Sequence, residues 1–178
     1  MNKIIKGIAL VCVLVYTACS DKQTLQEYYV ENQENPEFLI VDIPASILNM
    51  DKVNLTDTQQ EAVNSLRKLN VLAYQKKDDN EAEFTAEKTK VNAILKDDRF
   101  VELMKINTQF GKGVVKYLGE EDAIDEVVIF GASDDKGFAV IRVLGENMNP
   151  AHLVQLIQAL DKSDFNGEGL EGVANIFK

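Results

Sequence analysis

From about residue 113 the hydrophobic period of the chain changes from helical to extended, and this change constrains the fold more than any other feature. Three runs follow one another closely: Gly113 to Leu118 (GVVKYL), Ile124 to Phe130 (IDEVVIF) and Phe138 to Leu144 (FAVIRVL). They are separated by Gly119-Glu120-Glu121-Asp122 and by Ala132-Ser133-Asp134-Asp135-Lys136-Gly137. Connections so short cannot hold a crossover, so the strands run antiparallel and form a meander. In the third run Phe138, Val140 and Leu144 alternate with Ala139, Ile141 and Val143, which makes both faces apolar. Such a strand belongs at the centre of a sheet covered on both sides. Were one face bare, it would offer an apolar patch to a partner or a lipid-like ligand.

The rest of the chain supplies the elements that cover this meander. Phe38 to Ile43, bounded by Pro36 and Pro44, reads as a strand. Thr56-x-x-Gln59 resembles a capping box, and the helix it opens carries Ala62, Val63, Leu66 and Leu69 on one face. Val71 to Gln75 reads as a second strand, and residues 78 to 83 form an acidic break. Two helical stretches are expected next. The first presents Val91, Ile94 and Leu95. The second, capped by Asp97-Asp98, presents Val101, Met104 and Phe100 or Leu103. Asn149-Pro150 starts a last helix, with Leu153, Leu156, Ile157 and Leu160 at core spacing. This order predicts an α+β domain: a largely antiparallel sheet, made of the three-strand C-terminal meander and one or two N-terminal strands, packed against helices.

The N-terminus predicts export. Lys3 and Lys6 precede an apolar run from Gly7 to Tyr16, and Thr17 and Ala18 place small residues before Cys19. The run falls short of the roughly 20 apolar residues that a membrane span needs. Residues 1–18 are therefore expected to be a signal peptide. The small pair followed by cysteine resembles the bacterial lipobox, which makes Cys19 the expected lipidation site, although Tyr16 stands where a lipobox prefers Leu. A secreted protein cut after Ala18 is the alternative. Residues 19–36 are polar and read as a lipidated cysteine and tether, with Tyr28-Tyr29-Val30 as a local docking point. Residues 37–178 read as a single domain with an acidic tail from about Asp161.

Cysteine usage agrees with lipidation. The chain has two cysteines, Cys12 inside the apolar run and Cys19. Cleavage would remove one and acylation consume the other, so the domain must rest on an ordinary hydrophobic core. Removing 18 of 178 residues leaves 160, enough for one such core. The signal holds two of the 19 basic residues, so 17 remain against 29 acidic ones, a net charge near −12. That field disfavours nucleic acid as a ligand, and anionic headgroups with it.

Further residues carry a resemblance. Arg99-Phe100-Val101-Glu102-Leu103-Met104-Lys105-Ile106, a glycine-containing break, and Val114-Val115-Lys116-Tyr117-Leu118 are followed by Ile124-Asp125-Glu126-Val127-Val128, Phe138-Ala139-Val140-Ile141 and Gly145-Glu146-Asn147-Met148-Asn149. Over residues 37 to 162 the chain resembles a family of Bacteroidetes envelope lipoproteins known as domain of unknown function 4252. The resemblance implies a helix followed by three strands and a Leu-rich helix, and an envelope location. It supplies no catalytic residues. The Asn147-Met148-Asn149 turn and the acidic tail depart from the family pattern.

Chemistry is sparsely signalled. His152 is the sole histidine and, at a helix start, reads as a surface or capping residue. There is no Gly-x-Ser-x-Gly elbow and no mature cysteine to act as a nucleophile. Asp164-x-Asn166-x-Glu168-Gly169 places oxygen ligands as the start of a calcium loop does, but Glu171 and Asn175 stand where an apolar residue and a bidentate Glu are required. These three are a weak calcium candidate, and no cofactor or catalytic residue is expected. The expectation is a non-enzymatic lipoprotein, anchored to the membrane by lipid on Cys19 and most simply placed in the outer membrane facing the periplasm, with an envelope protein as partner. The alternatives are a binder of a small apolar or lipid-like ligand, with a cavity lined by Val140 and Arg142, and a hydrolase using two carboxylates near His152 or Arg142.

Overall fold

The computed structural model describes residues 22–47, 50, 54–108, 111–120 and 123–162. Cys19 and the signal-like segment lie outside them, as do Asp164, Asn166, Glu168 and most of the acidic tail. The elements are α1 (Leu25–Asn32), β1 (Phe38–Pro44), α2 (Asp57–Ser65), β2 (Leu66–Gln75), α3 (Glu81–Ile94), β3 (Val101–Thr108), β4 (Gly111–Glu120), β5 (Ala123–Ser133), β6 (Gly137–Met148) and α4 (Pro150–Lys162). The six strands form one antiparallel sheet in the order β1-β2-β6-β5-β4-β3. The fold is the expected α+β class, with both N-terminal strands present.

The two-faced strand lies inside the sheet. On β6, Phe138 and Val140 join Phe38, Leu72, Tyr74, Val128 and Phe130 under α1 and α3, while Val143 joins Ile43, Leu69, Val71, Val115 and Val127 under α2 and α4. Strand alternation thus separates two cores, one on each face. The first is aromatic at its centre. Tyr74 and Phe138 stack with ring centroids 5.6 Å apart, and Phe38 meets Tyr74 edge-on at 5.0 Å.

Two ends follow from local chemistry. Thr56 and Gln59 form the expected reciprocal cap on α2. Asn149 Oδ1 accepts from the backbone amides of Ala151 and His152, as a residue before Pro150 can. At the end of β6 the pairing jumps from Glu126↔Leu144 to Ile124↔Met148. Asn147 absorbs the bulge with φ of 51°, a left-handed conformation that Asn tolerates, and Met148 turns back into the core fully buried.

Three expectations are corrected. The stretch read as a tether contains α1, whose Thr24-x-x-Glu27 capping box and i, i+3, i+4 spacing of Leu25, Tyr28 and Tyr29 seat it in the aromatic core. The domain therefore begins before residue 37. The helix expected after Asp97-Asp98 is strand β3, because its edge-to-edge bonds with β4 are available and a bulge between Glu102 and Met104 brings Leu103, Met104 and Ile106 to one core. The helix opened by Thr56 ends at Ser65, and Leu66 and Leu69 belong to β2. Pairing of β2 with both β1 and β6 satisfies its backbone on two sides, which outweighs the helical spacing of these leucines.

Candidate functional site

The sheet face beneath α1 and α3 is apolar at one end and polar at the other. Three aligned strand positions make the change: Asp42 on β1 pairs with Asn70 on β2, which pairs with Arg142 on β6. One step further along β2 is Lys68 on the same face. These residues, with Ile40 and Leu144, floor a cleft of about 760 Å³, and Gln26, Tyr29 and Val30 of α1 with Gln33 and Glu34 just past its end form its wall.

The polar groups hold one another. Arg142 donates through Nε and Nη2 to the two carboxylate oxygens of Glu126 at 2.8 and 2.7 Å, a bidentate pair with both side chains largely buried. Burial works against the charge on Arg142, but Glu126, together with Tyr29 and Asp42, offsets it and holds the guanidinium pKa above its ordinary value. The same guanidinium lies over the ring of Tyr29, 5.6 Å from its centroid. Lys68 Nζ lies 2.6 Å from Asp42 Oδ2, and the Asn70 amide donates to Asp42 Oδ1. The Lys68 ammonium, against a desolvation cost and with help from Asn70, keeps the Asp42 carboxyl below the usual carboxylate range.

Tyr29 closes the inner end. Its hydroxyl lies 2.7 Å from the carbonyl oxygens of both Asn70 and Val140, so one proton is shared between two acceptors on neighbouring central strands. Burial pushes this phenol far above its ordinary pKa. The tyrosine thus stays a neutral donor, and it locks α1 to the sheet.

The anticipated residues separate. Arg142 lines the cleft, whereas Val140 is fully buried in the aromatic core. His152 is on α4, across the sheet from Arg142, with Nδ1 3.5 Å from Glu61 of α2. Two acids do approach Arg142, but Glu126 is bound to it and Asp42 to Lys68 and Asn70. Among the described residues no group of three or more His, Cys, Asp or Glu is placed to hold a metal ion. No helix among them is long and apolar enough to cross a membrane. Asp42, Lys68, Asn70 and Glu126 escaped the sequence reading as site residues, while Tyr29 was named there only as part of a local docking point. The visible signal was a single polar residue in step with the apolar core-facing positions of a strand, as Asp42 is with Phe38 and Asn70 with Leu72 and Tyr74.

An antiparallel six-stranded sheet with a pair of helices over each face defines an α+β domain. The chain belongs to the family described as Domain of unknown function (DUF4252), whose model matches residues 28–156. The match begins inside α1, in keeping with that helix being part of the domain. No curated protein and no solved structure matches the chain.

Proposed function

We propose that the protein is an envelope lipoprotein, anchored by acyl chains on Cys19, whose domain acts by binding a polar partner segment in the α1 cleft rather than by catalysis. The observation that carries the binding reading is the pairing of the cleft's strand charges: Arg142 with Glu126, and Lys68 with Asp42. A general base or nucleophile needs a free lone pair near a reacting atom. These groups instead present pre-oriented donors and acceptors with little net charge, which suits peptide-like polar groups. The anchoring reading rests on Lys3, Lys6, the apolar run to Tyr16, and Thr17-Ala18-Cys19.

Two experiments test the two halves. Metabolic labelling with a clickable fatty acid should mark the wild type and spare Cys19→Ser; equal labelling would refute anchoring there. A photoreactive residue at Gln33, on the cleft wall, should crosslink an envelope protein in intact cells, and Lys68→Glu should abolish that adduct. An adduct indifferent to Lys68→Glu would overturn the cleft as the binding site. The outer membrane facing the periplasm remains our proposed location, since Asp21 is followed by Lys22 instead of an acidic cluster. Protease shaving of whole cells should leave the domain intact.

A further inference from the structure

We infer that, once anchored at Cys19, the domain does not swing on a tether but rests on the membrane with one defined end, formed by Lys22, the C-terminal turn of α3 and the loop to β3. The inference depends on the anchoring proposed above.

Reach comes first. Leu25 is buried 3 % exposed in the aromatic core and opens α1. At 3.3–3.6 Å per residue, the three steps from Cys19 to Lys22 span at most roughly 10 Å, and the six steps to Leu25 roughly 20 Å. A thioether-linked acyl chain at Cys19 must therefore hold the start of α1 within about the thickness of the headgroup layer and its adjoining water.

Charge decides what this end meets. Lys22, Lys90, Ala93, Ile94 and Asp97 surround one shallow depression, so the start of α1 and the end of α3 are neighbours. The chain as a whole has a net charge of −10, yet here the cations stand outermost. The side chains of Lys22 and Arg99 are 75 % and 59 % exposed, while Asp97, which both contact, is 15 % exposed. Lys90 is 55 % exposed against 16 % for its partner Glu87. Lys96 is exposed in the same turn. Lys116 reaches this turn from β4, donating to the carbonyl of Leu95. Among the described residues the exposed acids nearby include Asp98, Glu27 and Glu31; Glu27 is engaged in the cap of α1, and Glu31 accepts from the Gln23 amide. Cations that protrude past shielded acids meet a surface before those acids do, and anionic headgroups attract them within a Debye length. The same arrangement turns the cleft wall, at Tyr29 and Val30 further along α1 and Gln33 at its end, away from the anchor point and leaves it open to a partner.

The test uses the lipidated full chain reconstituted in vesicles of phosphatidylcholine with a minority of phosphatidylglycerol. Acylation consumes the thiol of Cys19, so single fluorescent labels can be placed at Ala93→Cys and Asp79→Cys. Both positions are exposed; Asp79 lies in the turn just before the fourteen-residue α3 and Ala93 near its far end, a helix roughly 20 Å long at 1.5 Å per residue. Headgroup-attached nitroxide lipids should quench the label at 93 several-fold more than that at 79. The triple change Lys90→Glu, Lys96→Glu, Arg99→Glu should remove most of the difference. Equal quenching of both labels in acylated wild type would overturn the orientation while leaving the anchor intact. An intact mass lacking the acyl groups, with no flotation on vesicles, would instead sink the anchoring and the orientation with it. Circular dichroism of the triple variant separates a charge effect from misfolding, and an unfolded variant is replaced by Lys96→Glu with Arg99→Glu.

Discussion

Arg142 on β6 grips Glu126 on β5 through two hydrogen bonds of 2.8 and 2.7 Å, at the one end of the sheet face where the core gives way to a polar cleft. The pair is diagonal across the strands, since the residue directly opposite Arg142 is Val128. Glu126→Gln keeps the shape but leaves a buried guanidinium short of its counter-charge. The variant should lose about 2–3 kcal/mol of stability, read as a shift in the chemical denaturation midpoint. Replacing both partners, Glu126→Leu with Arg142→Met, should recover most of that loss, because neither charge then remains buried alone.

Tyr29 ties α1 to the sheet through its hydroxyl. Tyr29→Phe strips one donor from two carbonyls and should cost about 1–2 kcal/mol. Hydrogen exchange should show the loss first as faster exchange in α1, ahead of the central strands. Uniform loss across the whole domain would contradict the role of this bond as a local latch.

The helix itself matters more than its latch. Leu25→Ala should destabilise the domain by about 2–4 kcal/mol through the transfer and cavity terms. A chain starting at residue 37 would bare Phe38, Tyr74 and Val140, and should appear in the insoluble fraction or be degraded quickly under limited proteolysis. A soluble, cooperatively folding 37–178 fragment would refute the assignment of α1 to the core.

Alkali should unfold the protein through its buried phenols. Burial, with Glu83, Glu37 and Glu87 nearby, pushes Tyr74 up to about 12 from 10.0, and its hydroxyl lacks a hydrogen-bond partner among the described residues. Burial, then the bond to Glu87, raises Tyr28 further. Above 10 the unfolded chain has released these protons while the native chain keeps them. Unfolding then releases protons, and stability falls as pH rises. Denaturation midpoints on either side of 10 should show the decline, with phenolate absorbance appearing together with unfolding rather than before it.

Gly137 begins β6 at φ of 131°, and a Cβ there would stand 2.0 Å from the carbonyl oxygen of Tyr74. Gly137→Ala should therefore cost at least about 1–3 kcal/mol from backbone strain, beyond which the β2–β6 ladder must shift. A thermal melt compared with that of Gly131→Ala provides the control, since nothing lies within 4 Å of a Cβ at Gly131.

Much of the architecture was legible because its signals are local. The two-faced pattern of Phe138 to Leu144 marked an internal strand, Thr56-x-x-Gln59 and Asn149-Pro150 marked two helix starts, and the short acidic turns forced antiparallel neighbours. The misread elements have physical causes. At β3 a bulge placed Leu103 and Met104 side by side, so an extended strand mimicked helical spacing. At β2 the leucines 66 and 69 kept a helical interval inside a strand paired on both sides. At α1 the apolar positions are few, but Thr24-x-x-Glu27 was the same capping signature that revealed α2.

By itself the sequence determined the fold class, the internal place of β6 and two of the four helix starts, since periodicity, capping and turn chemistry act over a few residues. Only the tertiary structure decided the strand order, which sets Asp42, Asn70 and Arg142 in one row although they are far apart in the chain. It also put His152 and Arg142 on opposite faces of the sheet, and made α1 part of the core. These outcomes depend on which surfaces bury one another and which backbone groups find partners, and no local pattern encodes that choice.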